Sequence, residues 1–155
     1  MGRPSVSERV FDLAELPKAS VSIGATAEEA AQLLYRSGLG AIAVLDGDAV
    51  RGMFTEDDLL RAMFPRYLEE LEHTAFLDDD EAFLLGGDPA RSTPVTTLMR
   101  DAEPVELPAS ALDIAQRFLH DDAAALIAVR SGAFAGVIDQ TTFCKAILRR
   151  YRWQL

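Results

Sequence analysis

The sequence predicts an α/β fold made of two β-α-β-β-α units packed about a pseudo-twofold axis. Three observations carry this expectation. The stretch from Val21 to Phe64 lies over Val105 to Leu148 without a gap, an offset of 84 residues, with Val21 and Val105, Gln32 and Gln116, and Gly52 and Gly136 among the identities. Ala27, Ala30, Ala31 and Leu34 form an apolar face at helical spacing, and Ala111, Ile114, Ala115 and Phe118 repeat it in phase. Two short apolar runs then follow in each copy, "AIAVL" and "VRGMF" in the first, "ALIAV" and "FAGVI" in the second. The segments between them, "DGDA" and "RSGA", supply the residues of tight hairpins.

Each unit begins with a short extended piece, and Thr26 or Ser110 caps the helix that follows. After the hairpin comes a second helix, expected to bury Leu59, Leu60 and Met63 in the first copy and Phe143, Cys144 and Ile147 in the second. One unit alone has too little core to stand, so the two are expected to pack together, with function in the cleft between them. The organisation reads as a first repeat over 8–64, a helical insertion over 65–94, a second repeat over 95–150 and a tail over 151–155. In the insertion Leu68, Leu71 and Ala75 share a helical face, and Phe76, Leu77, Phe83, Leu84 and Leu85 are expected to pack on the pair. The acidic run Asp78 to Glu81 reads as solvated.

Composition narrows the function classes. A net charge of -10 argues against DNA or RNA as a partner, because polyanion affinity comes from Lys and Arg neutralising phosphates. A lone cysteine, Cys144, excludes an intrachain disulfide and a Cys-based zinc site, and its setting in "TTFCKAIL" reads as core. No apolar run reaches the roughly 18 residues of a membrane span, and the first residues carry no apolar signal core, so a cytoplasmic protein is expected. "GLGAIA" matches a dinucleotide-binding pattern but follows a helix and enters a strand, the reverse of the required order. His73 and His120 lie far apart and read as surface residues, and no catalytic constellation is present, so no enzyme is expected. "RRYRWQL" places cations at a helix end, where the dipole favours them.

The junction "GMFTEDD", Gly52 to Asp58, has two readings. Thr55 followed by Asp58 is a sound helix start, with acids in the first turn. The exposed amides of such a start can also face a phosphate. A glycine at Gly52 lets backbone approach closely.

Glycine, two apolar residues, Thr or Ser, two residues, then Asp is also a motif of the cystathionine-β-synthase (CBS) domain. The doubled unit resembles a tandem CBS pair, or Bateman module. The resemblance implies a non-catalytic regulatory module that needs no cofactor and binds an adenosine-containing ligand, AMP, ADP, ATP or S-adenosylmethionine, in the inter-repeat cleft. Its implied site residues are Gly52, Thr55, Asp57 and Asp58 for ribose and phosphate, completed by adenine contacts near Pro108 to Ser110 and Ala124 to Leu126. The second copy reads "GVIDQTT", with Asp139 where the Thr belongs and Thr142 where the Asp belongs, so one competent site and one altered or empty site are expected. The resemblance further implies a homodimer and a regulated partner protein. The alternative is a ligand-free dimerisation or interaction scaffold.

Overall fold

In the computed structural model, which describes residues 16–64 and 89–155, the chain runs β1 (Ser20–Ser22), α1 (Ala27–Ser37), β2 (Ala41–Asp46), β3 (Ala49–Thr55) and α2 (Glu56–Met63). It continues with α3 (Val95–Leu98), β4 (Val105–Glu106), α4 (Ala111–Asp121), β5 (Ala125–Arg130), β6 (Ala133–Asp139) and α5 (Gln140–Arg150). Two three-stranded sheets result, ordered β1-β2-β3 and β4-β5-β6. In each, the first strand is parallel to the second, as a helical crossover requires, and the second and third form an antiparallel hairpin. Even the irregularity repeats: the register shifts between Val44 and Leu45 and again between Ala128 and Val129. The α/β expectation and the doubled unit therefore hold in the structure. Of the insertion, residues 65–88, with the apolar residues from Leu68 to Leu85 and the acidic run from Asp78, lie outside the described residues.

The strands decide how the units meet. Residues Ala41 to Val44 of β2 are all buried, and they share one core with Phe54, Ala125, Ile127 and Val137, so this core draws on both sheets. Along β5 the alternation splits the side chains. Ala125 and Ile127 enter the shared core, whereas Leu126 and Ala128 join Ile138, Ile114, Phe118 and Phe143 in a second core beneath α4 and α5. The Phe118 and Phe143 rings meet there at 5.5 Å between centroids.

Two expected core residues face outward instead. Leu60 is 56% exposed and Cys144 is exposed. Each follows directly on a residue that packs inward, Leu59 in α2 and Phe143 in α5. One helical step turns a side chain by about 100°, so neighbours in sequence do not share the buried stripe.

The chain leading into each unit docks on the other unit. Met53 of β3 exchanges two backbone hydrogen bonds of 3.0 Å with Arg100, and α3, with Val95 fully buried, sits against the first unit. In return, the Val137 amide of β6 donates to Pro17 at 2.8 Å. The repeated glycine is what admits both leads. A Cβ on Gly52 would lie 2.7 Å from the Arg100 carbonyl oxygen, and one on Gly136 would lie 2.6 Å from the Leu16 Cβ. Residues 95–100 thus belong in space with the first unit.

Candidate ligand cleft between the two repeats

Thr55 ends β3 and caps α2, because its extended backbone frees the side chain to serve the first turn. Its hydroxyl accepts from the Asp58 amide at 3.3 Å and donates to Asp58 Oδ2 at 2.9 Å; its amide donates to the same oxygen at 2.9 Å. This reciprocal capping box is what the Thr-x-x-Asp spacing predicts, and both residues are buried, each 7% exposed.

A partner the sequence reading did not single out completes the arrangement. The Arg100 guanidinium reaches across from the crossing lead and grips Asp58: Nη2 donates to Oδ1 at 2.7 Å, and Nε lies 3.0 and 3.1 Å from the two carboxylate oxygens. Arg100 Nη2 also meets Asp57 Oδ2 at 3.1 Å, an oxygen that Arg61 shares at 2.9 Å. Arg61 and then Arg100 hold the Asp57 carboxyl below the usual aspartate range, and the bond to Asp58 raises Arg100 above its ordinary value. With four hydrogen-bond donors converging on it, the Asp58 carboxylate is saturated by the chain's own groups.

Beside this knot lies a cleft of about 760 Å³ between the repeats, a size suited to a small-molecule ligand. Thr55 and Asp57 line it from the first repeat, and Ala124 and Leu126, at the start of β5, line it from the second, with Ala124 against Gly40. These four of the expected site residues are brought together. Gly52 and Asp58 stand behind the wall, the glycine under the Arg100 backbone and the aspartate under its side chain. Pro108 and Ser110 are not among the lining residues; Ser110 caps α4, accepting from the Asp113 amide at 3.0 Å. The rest of the lining comes largely from residues the sequence reading passed over, Arg100 to Glu103 and Arg117, Asp121 and Asp122 of α4 and its end. Gly52 was the available signal for the first group, since a glycine repeated at Gly136 in strand interiors marks a passing backbone.

The second junction is plainer. Asp139 caps α5 by accepting from the Thr142 amide at 2.8 Å, and Thr142 is exposed. Arg51 pairs with Asp46 at 3.1 Å, and neither it nor Arg130 lines the cleft. Among the described residues no group of three or more His, Cys, Asp or Glu side chains is arranged to hold a metal, and no helix is long and apolar enough to cross a membrane.

Comparison with known proteins agrees with this architecture. The family model described as CBS domain matches residues 10–65. No curated protein matches the sequence. Among solved structures, a protein with CBS domains from Burkholderia ambifaria is similar at a TM-score of 0.68 and 19% identity, over 97% of this chain and 98% of that one. A CBS-domain containing protein from Agrobacterium tumefaciens gives 0.65 and 20%, over 89% and 90% of the two chains. CBSX2, solved in complex with AMP, gives 0.65 and 18%, over 90% and 97%. The 10–65 segment matches the CBS-domain model, and with its structural copy in the second half the chain has the fold of a tandem CBS pair.

Proposed function

We propose that the chain is a non-catalytic regulatory module that binds an adenosine-containing small molecule in the cleft between its repeats. The observation that carries this reading is the cleft itself. Its lining includes the apolar residues Ala123 to Ile127, chemistry that suits a purine. It also includes Thr55, Asp57 and Arg100, polar groups able to meet a ribose and its 5′ substituent. CBSX2 with AMP supports the reading at the level of fold. A homodimer acting on a partner protein in the cytoplasm completes it. The rival, a ligand-free scaffold, draws on Leu112 and Leu119, which are 78% and 85% exposed on one face of α4.

Thermal unfolding against a panel of adenosyl compounds tests the two. A ligand at 100 times its dissociation constant stabilises the fold by about 2.7 kcal/mol. The bulky Ala124→Phe variant, at an exposed position on the cleft wall, should lose that gain while unfolding normally without ligand. If no adenosyl compound shifts the transition, the scaffold reading takes its place.

A further inference from the structure

The charge lining the cleft discriminates among adenosyl ligands. Six acidic residues line it, Glu56, Asp57, Asp101, Glu103, Asp121 and Asp122, against two cationic ones, Arg100 and Arg117. Both arginines are already committed. Arg100 is held by Asp58 and Asp57, and Arg117 Nε donates to Asp121 at 3.0 Å. Glu56, Asp101, Glu103 and Asp122 have no ion pair among the described residues.

The start of α2, the natural seat for a phosphate, is likewise filled from within. Thr55 caps it, Asp58 turns back onto the Thr55 amide, and the first turn carries Glu56 and Asp57 as well, so the helix dipole is already met by negative charge. An incoming phosphate would face these acids and would have to take Arg100 from two carboxylates. A positively charged substituent in the cleft meets the acids that have no ion pair among the described residues, Glu56, Asp101, Glu103 and Asp122, instead.

Resting on the adenosyl reading above, we infer that the cleft selects an adenosyl compound bearing a positive charge beyond the ribose, an adenosyl sulfonium, over the anionic adenine nucleotides. The adenine then meets the apolar part of the lining near Ala124 and Leu126, and the cationic end meets its unpaired acids, Glu103 and Asp122 among them.

Calorimetry on the full chain tests this with S-adenosylmethionine, its sulfide analogue S-adenosylhomocysteine, which lacks the sulfonium charge, AMP, and ATP with and without magnesium. These probes separate charge from shape. S-adenosylmethionine should bind about five- to tenfold more tightly than the sulfide, the scale of one or two exposed charge pairs, and more tightly than either nucleotide. Raising the salt concentration should narrow the gap. The paired change Glu103→Gln with Asp122→Asn should weaken the sulfonium and leave the sulfide nearly unchanged. Tighter binding of AMP or ATP, with or without magnesium, would overturn the charge selection and leave the adenosyl reading intact. Equal binding of sulfonium and sulfide would do the same. Absence of binding by every compound would overturn both.

Discussion

The two helix starts that follow β3 and β6 occupy equivalent places in the repeat and solve the same local problem with their residues exchanged. In the first, Thr55 caps and Asp58 sits at the third helical position; in the second, Asp139 caps and Thr142 takes that position. Both satisfy an orphan amide. They part in what the crossing lead brings. At the first junction the lead carries Arg100, whose guanidinium turns a cap into a buried ionic knot beside an open cleft. At the second it carries Leu16 and Pro17, which add packing and a backbone bond without charge. A threonine therefore suffices at Thr142, where no cation waits for a carboxylate. The lesson is that the asymmetry expected from "GMFTEDD" and "GVIDQTT" is matched by an asymmetry in the leads, and the two halves of each junction come from distant parts of the chain.

The largest expected effect tests the feature the junctions share. Gly52→Ala and Gly136→Ala each drive a Cβ into the docked lead, and at Gly136 the φ of 153° adds backbone strain. Each substitution should destabilise the chain by about 2 to 4 kcal/mol in urea unfolding. A neutral result at either glycine would show that its lead is not held where the backbone bonds place it.

Next in size is the difference between the junctions. Arg100→Ala leaves the buried Asp58 carboxylate with only its Thr55 donors, at a loss of about 1 to 2 kcal/mol after allowance for the half-exposed guanidinium. Thr142→Ala, on an exposed side chain, should stay within about 0.5 kcal/mol. A double-mutant cycle of Arg100→Ala with Asp58→Asn should reveal coupling between them. Equal effects at Arg100 and Thr142, or an uncoupled cycle, would erase the contrast.

The smallest effect is a pH dependence confined to the first unit. Asp57 is depressed by Arg61 and Arg100, and Glu28 by Arg91. A depressed carboxyl contributes stability that is present above its unfolded pKa and lost as pH falls through the folded pKa. Because both groups are exposed, the loss between about pH 5 and about pH 2 should be modest, and salt should reduce it. Asp57→Asn should flatten that part of the stability profile. The equivalent position in the second unit is Thr141, which does not titrate in this range, so Thr141→Ala should leave the slope unaltered.

Much of this molecule was settled by the sequence alone. The offset of 84, the helical stripes, the hairpin loops and the caps at Thr26, Thr55, Ser110 and Asp139 are all legible, because periodicity and capping depend on residues within one turn or one strand of each other. Only the tertiary structure decided that the leads cross and that Arg100 reaches Asp58 from 42 positions away. It likewise turned Leu60 and Cys144 to the surface and drew the acids near Arg100 and Asp122 into one cleft with Thr55. The physical reason is that two sheets burying a common core fix which distant segments become neighbours, and local pattern carries no record of that choice.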